Sequence, residues 1–412
     1  MKKLLLTVIA ALSAFIAFGQ TEIRVEAPNV VAADEQFNVT FIIEGEENPS
    51  DFKWSSGSDF QVLWGPQSGR STSIQIMNGK RTKSVQTTYT YVLRPNASGK
   101  FSLPKASANV NGKEIWSEPK SIQVAAAGAA SSPSRQSQQS GQSQQSGTQS
   151  QARQAGIQDS DIFLKMDLSR TNVVVGEPII ATLKLYQRVN IGGFENVSFP
   201  TFNGFWSQEI EAPTNIEFNR EVLDGQIYNA ALLRKFVIIP QQQGQLKIDP
   251  AEMVCLINIR VSPGGTSIFD GFFDDYRTVR KKVSTGPMTV NVKPLPSGAP
   301  ASFAGGVGSF AISAKLSRDS LKTHEAASLL VTVTGNGNIS LLEAPKVKFP
   351  PDMEVYDTKI SEKVDKGGLS GSKYYDFPFI PRSHGDFVIE PITYSYYDVN
   401  QGKYVTLTTE PI

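Results

Sequence analysis

The chain holds one cysteine and two histidines among 412 residues. A lone Cys255 excludes an intramolecular disulfide and any multi-thiolate metal site. His324 and His384 leave little material for imidazole-based metal or acid–base chemistry. Charge of one sign is lacking too. With 40 Lys+Arg against 39 Asp+Glu, there is no electrostatic footprint for nucleic acid or an anionic membrane surface. No nucleophile elbow, phosphate-binding loop or His-Glu-x-x-His pattern occurs. Gly305-Gly306-Val307-Gly308 and Gly335-Asn336-Gly337-Asn338 precede no helical pattern that could cradle a phosphate, and read as linker and turn. These absences argue against an enzyme and imply neither cofactor nor metal.

What is present begins with an address. Lys2 and Lys3 precede an apolar run at 4–18, and Ala17-Phe18-Gly19 sets small residues where signal peptidase cuts, so residues 1–19 read as a secretory signal peptide. No cysteine follows the run, which closes the lipoprotein route. No later stretch reaches the 18 apolar residues of a membrane span. The expectation is an exported, near-neutral mature chain. Cys255, inside Met253-Val254-Cys255-Leu256-Ile257, reads as an inert core thiol.

One unit is written three times. Pro95-x3-Gly99-x-Phe101-x-Leu103 recurs as Pro240-x3-Gly244-x-Leu246-x-Ile248 and as Pro381-x3-Gly385-x-Phe387-x-Ile389. A β-rich run precedes each proline, and apolar residues alternate at period two after each glycine, the signature of a strand. Upstream lie hairpin signals at Asn78-Gly79, Asp224-Gly225 and Gly367-Gly368. Glu35, Glu177 and Glu325 open alternating runs such as Phe37/Val39/Phe41/Ile43 and Leu329/Val331/Val333. Many short strands without an amphipathic helix predict an all-β chain of three tandem immunoglobulin-like antiparallel β-sandwiches. Glu118-Pro119 and Gly286-Pro287 lead into a closing strand; Thr409-Glu410-Pro411-Ile412 matches its opening, so the third copy reads as truncated.

The expected boundaries are unit one at 20–124, a Gln/Ser-rich flexible linker at 125–157, and unit two at 158–293. A Pro/Gly linker at 294–307 and unit three at 308–412 follow. The first unit should swing freely on its linker, and the second and third should move more nearly as one.

Both histidines occupy turn positions of the repeat. The sequons at Asn38, Asn96, Asn196 and Asn338 matter only in a glycosylating host. Trp54, Trp64, Trp116 and Trp206 lie in or beside strands and read as core. Unit two alone carries an insertion, 263–282. Here Phe269, Phe272, Phe273, Asp274, Asp275 and Tyr276 are flanked by Pro263-Gly264-Gly265 and by Arg277, Arg280, Lys281 and Lys282. Aromatics among acids on a Gly-flanked loop are the candidate docking surface for a protein partner; the alternative is that the rings cap the sandwich.

Signal peptide, three sandwiches with the Pro-x3-Gly corner, a Gln/Ser-rich linker and the Phe-Phe-Asp-Asp loop together make this chain resemble the BatD oxygen-tolerance (aerotolerance) family of Bacteroidetes. The resemblance implies a periplasmic protein held in the inner membrane by a C-terminal helix not seen here. It implies von Willebrand A domain membrane proteins and tetratricopeptide-repeat proteins as partners in a stress-related envelope complex. The expected function is a non-catalytic scaffold; the alternative is a secreted adhesin or glycan-binding protein. A periplasmic hydrolase or redox enzyme has almost no residues to support it.

Overall fold

The computed structural model describes residues 22–45, 49–77, 80–130, 156–261 and 275–412. The signal-peptide assignment, the Asn78-Gly79 turn and most of the Gln/Ser-rich segment fall outside these residues. The regular structure of the described residues is all β-strand apart from a three-residue 3-10 turn at Ile339–Leu341.

Alternation of apolar and polar residues builds each sheet, because successive side chains on a strand point to opposite faces. In Phe37–Gly45, Phe37, Val39, Phe41 and Ile43 are buried. Ile179–Gln187 and Ala327–Gly337 repeat that pattern in the second and third sandwiches. Three separate cores result. One is centred on Phe41, Leu93, Leu103 and Ile122, one on Ile179, Leu183, Ile238 and Val290, and one on Leu329, Val331, Tyr375 and Tyr394. Each such buried aliphatic or aromatic side chain stabilises its sandwich by about 1.5–3 kcal/mol.

The first sandwich pairs a sheet ordered Ile23–Glu26, Phe37–Gly45, Lys80–Pro95, Phe60–Met77 with a sheet ordered Val30–Ala32, Lys120–Ala125, Gly99–Leu103. The second repeats this plan: Ile162–Leu168, Ile179–Gln187, Gln226–Pro240 and Phe205–Glu211 form one sheet, and Asn172–Val174, Met288–Lys293 and Gly244–Ile248 the other. In both, the closing strand lies between a parallel neighbour and the antiparallel strand that follows the corner. The third sandwich carries Met353–Val355, Ser370–Pro381, Ala327–Gly337, Phe303–Leu316, Thr393–Asp398 and Lys403–Thr408 in that order.

The corner opens alike each time, but only Gly99–Leu103 and Gly244–Ile248 follow it as strands; the alternation after Gly385, read as a strand, forms none at 385–389. Pro95, Pro240 and Pro381 each end a strand, and Gly99, Gly244 and Gly385 sit at φ 150°, 117° and 145°, where a side chain would be strained. Asp224 and Gly225 have φ 51° and 77°, as their hairpin turn requires.

Three expectations need correction. Gly305-Gly306-Val307-Gly308 is strand rather than linker: Phe303–Val307 runs beside Thr393–Asp398 in parallel, and from Gly308 the same strand runs antiparallel to Ala327–Gly337. Gly335 and Gly337 face it across that ladder, where bare backbone permits the approach. The sequon Asn338 is 2% exposed; it accepts from the Val307 N–H and donates to the Gly305 carbonyl, both at 2.8 Å, clamping the crossing. The segment at 125–130, read as the start of a flexible linker, is packed, with Ala129 buried. Trp64 and Trp116, read as core, are exposed.

The chain divides into two compact units. One comprises Met1–Gln138 with Asn219–Asn229; the other comprises Gln139–Phe218 with Ala230–Ile412. The hairpin tip Asn219–Asn229 therefore belongs with the first repeat, although it lies within the second in sequence. A reading of the linker alone does not foresee this.

Candidate interaction surfaces

The three glutamates that open the repeats are structural. Each carboxylate folds back to accept the backbone N–H three residues earlier: Ala32 to Glu35 at 3.0 Å, Val174 to Glu177 at 3.1 Å, and Lys322 to Glu325 at 3.2 Å. Each also takes an arginine. Arg170 bonds Glu177 at 2.5 Å, and Arg318 bonds Glu325, both from seven residues upstream. The matching position of the first repeat is Pro28, which has no charge to give. Arg220, from the hairpin assigned to the first unit, supplies the cation instead and forks onto both oxygens of Glu35 at 2.8 Å. Burial alone pushes the Glu35 carboxyl up, but the Arg220 hydrogen bond, the Ala32 amide and the Arg220 charge together hold it below its ordinary value. Around the pair, Val30, Ala32, Ala125, Ala129 and Ile227 form a small apolar cluster, and the Ile227 N–H bonds the Ala129 carbonyl at 2.9 Å.

Of the residues proposed for docking, Phe269, Phe272, Phe273 and Asp274 lie outside the described residues. Asp275 and Tyr276 begin the strand Asp275–Ser284, paired with Val261 and Arg260. Residues 275–282 are thus strand rather than loop, antiparallel to Glu252–Val261. Three of the four basic flanking residues are paired along that strand. Arg280 pairs with Glu195, Lys282 with Glu252 at 2.8 Å, and the buried Lys281 with Asp159 at 2.7 Å. Cys255, opposite Lys281 in the ladder, is fully buried. Burial pushes its thiol up to about 12, and the Lys281 charge only partly opposes this.

An apolar surface that the sequence reading missed lies on the edge strand Phe60–Met77 of the first sandwich. Val62, Leu63 and Trp64 are 41, 36 and 54% exposed, beside register shifts at Val62/Trp64 and Trp64/Gln67. The signal was Gly65-Pro66 inside an apolar run, since a proline cannot donate to a ladder and marks an edge or a bulge. Trp116 is equally exposed at the end of Lys113–Trp116. Trp54, by contrast, packs on Phe41 and Tyr91 at ring distances of 5.0 and 4.7 Å and donates to the Pro104 carbonyl.

The third sandwich carries a groove of about 370 Å³ at its corner, lined among others by Leu316, Leu321, Phe379, Phe387, Ile389 and His384. His324 is the turn residue before Glu325, at φ 67°, a backbone region in which histidine is enriched. Among the described residues, no group of three or more His, Cys, Asp or Glu could hold a metal ion. No helix among them is long and apolar enough to cross a membrane.

The family model described as the BatD DUF11 like domain matches residues 25–124 and 314–412, spanning the first and third sandwiches. No curated protein matches the chain. Among solved structures, the chain is similar to the type II cohesin dyad from the adaptor ScaA scaffoldin of Acetivibrio cellulolyticus. The identity is 9%, covering 60% of this chain and 96% of that one, at a TM-score of 0.17. It is also similar to the adhesin InvE of Yersinia pseudotuberculosis, at 10% identity over 65% of this chain and 61% of that one, with a TM-score of 0.12. Likeness at these levels bears on neither ligand nor partner.

Proposed function

Since the chain belongs to the BatD family, we propose that it is an exported, non-catalytic scaffold of a membrane-associated envelope complex concerned with oxygen tolerance. It works by holding protein partners on β-sandwich surfaces. The observation that carries this reading is the use made of the charged groups at the opening of each repeat. Glu35, Glu177 and Glu325 are each committed to a backbone amide and an arginine, so their ion pairs maintain a frame. The periplasmic location and the partners, von Willebrand A domain membrane proteins and tetratricopeptide-repeat proteins, belong to the same proposal.

The aromatic–acidic segment of the second sandwich is the docking element in this reading. Its test must respect the hairpin. Deleting 263–282 would remove Val279 and Lys281 from the core, whereas joining Val261 to Asp275 through Asn-Gly keeps the ladder. Crosslinking from native envelopes should recover von Willebrand A domain proteins with the natural sequence and lose them with the shortened hairpin. Equal recovery from both would remove the docking role from this segment.

A second reading, a glycan-binding adhesin, is favoured by one observation, the exposed Trp64 and Trp116. Stacking of sugars on these rings would shift tryptophan fluorescence and disappear in a Trp64→Ala, Trp116→Ala variant. An unchanged spectrum across cell-surface glycans would exclude it.

A further inference from the structure

One rung on the outward sheet face of the third sandwich differs from its counterparts in the other two. Thr40, Thr182 and Leu330 each stand five residues after the glutamate that opens a repeat. Thr90, Lys235 and Asp376 each stand five residues before its corner proline. In the first sandwich the rung runs Glu26, Thr40, Thr90, Gln67. The two threonine hydroxyls meet at 3.0 Å, and Glu26 pairs with Arg24 at 3.2 Å. In the second, Asp167 stands opposite Thr182 and pairs with Lys165 at 2.6 Å, while Glu211 stands opposite Lys235.

In the third sandwich the rung runs Lys315, Leu330, Asp376, Lys359. The end held by a paired acid in the other two now carries a lysine, and the centre has no polar pair. Leu330 stands where the others have threonine and is 39% exposed. Asp376 Oδ1 is buried without a hydrogen-bond partner among the described residues, whereas buried polar atoms are ordinarily satisfied. Lys315 and Lys359 are exposed, and neither makes an ion pair among those residues. All four line a groove of about 690 Å³, together with Tyr374 and the exposed Ile360.

The spacing of the rung suits an extended peptide laid across the strands. Neighbouring strands are about 4.8 Å apart, which sets the two lysines about 14 Å apart at the backbone. An extended chain turns every second side chain to one face, about 6.8 Å apart. Side chains i and i+4 then reach the two lysines, and side chain i+2 falls between Leu330 and Asp376. Charge selects acids for the outer two. At i+2, a threonine or serine hydroxyl donates to Asp376 Oδ1, and the threonine methyl covers Leu330.

We propose that this rung docks an extended acidic segment of a protein partner, with the pattern acid-x-Thr/Ser-x-acid. The source of the segment rests on the scaffold reading, but the site is separate from the aromatic–acidic segment of the second sandwich. Its test is separate too, since peptide binding can fail while von Willebrand A domain proteins are still recovered from envelopes, and the reverse.

The probe is a labelled peptide, Gly-Asp-Gln-Thr-Gln-Asp-Gly, added to the full chain and followed by fluorescence anisotropy. Saturable binding that weakens with added salt is the expected result. Lys315→Ala and Lys359→Ala should each weaken it about two- to fivefold, the range of an exposed ion pair. The double variant Lys315→Glu, Lys359→Glu should refuse this peptide and take up Gly-Lys-Gln-Thr-Gln-Lys-Gly instead. Valine in place of the peptide threonine should weaken binding to the natural chain but not to an Asp376→Leu chain whose circular dichroism is unchanged. Absence of saturable binding would overturn the proposal, as would equal binding by the natural and charge-reversed chains. Uptake of an oligogalacturonate but not of the peptide would give the groove to a glycan. Self-association of the natural chain that charge reversal abolishes would give it to a second copy. Either result would overturn the peptide assignment.

Discussion

Arg220 forks onto both carboxylate oxygens of Glu35, at 2.8 Å each, although 185 residues separate the two. It stands where Arg170 serves Glu177 and Arg318 serves Glu325 from seven residues away. A local arginine in two repeats is thus replaced in the first by one from a distant hairpin, and the turn it stabilises is the same.

Arg220→Ala should destabilise the first compact unit by about 1 kcal/mol, a partly exposed charge-assisted fork being worth little more. The Glu35 carboxyl is held below its ordinary value of 4.5, so its contribution is present above that value. The contribution is lost as pH falls through the lowered folded value. Chemical denaturation of natural and variant chains at pH 7 and in acid should show the difference shrinking in acid. A difference that grows there would contradict the pairing.

Cys255 should be inert to thiol reagents in the folded chain at pH 8 and react fully in denaturant, since burial holds its thiol up to about 12. A raised folded value means that its stability contribution is complete below the unfolded value and declines as pH rises above about 9. Cys255→Ser should cost about 1–3 kcal/mol by burying an unpaired hydroxyl. Thiol titration and urea midpoints check both statements.

Gly308→Ala should unfold the third sandwich or cost it about 3 kcal/mol or more, because a Cβ there would overlap the Asn336 carbonyl oxygen at φ 147°. Gly286→Ala meets nothing within 4 Å and should stay within about 0.5 kcal/mol of the natural chain. Thermal midpoints of the two variants distinguish crowded backbone from open space.

Tyr394 and Tyr375 are both fully buried, yet they should respond oppositely to loss of the hydroxyl. Tyr375 donates to the Leu342 carbonyl at 3.0 Å, so Tyr375→Phe should cost about 1 kcal/mol. The Tyr394 hydroxyl has no hydrogen-bond partner among the described residues, so Tyr394→Phe should be neutral or stabilising. Equal losses from both would show that Tyr394 is satisfied in solution.

The all-β class, the three corners and the alternating strands were legible because each depends on residues a few positions apart. Phe37, Val39, Phe41 and Ile43 fall on one face by the geometry of an extended chain alone. The corner glycines were equally plain, since no side chain occupies their φ without strain. The buried Cys255 followed from its apolar neighbours. The reading went wrong where a local pattern had two tertiary outcomes. Gly305-Gly306-Val307-Gly308 has linker composition, yet it lies in a strand because Tyr396 and Tyr397 pair with Gly306 and Val307, and Gly337 meets Gly308 with equally bare backbone. Trp64 resembles a core residue in sequence, but the register shifts beside it lie on an edge strand, and its ring is left exposed.

The amino-acid sequence by itself determined the repeated frame: where strands run, where they turn, and which side chains face inward. Only the tertiary structure decided what closes each frame. It set Arg220 on Glu35 and brought Val30–Ala32 beside Lys120–Ala125. The physical reason is separation along the chain. Periodicity and turn chemistry act between near neighbours, whereas these pairings join residues tens to hundreds of positions apart and exist only once the sheets are assembled.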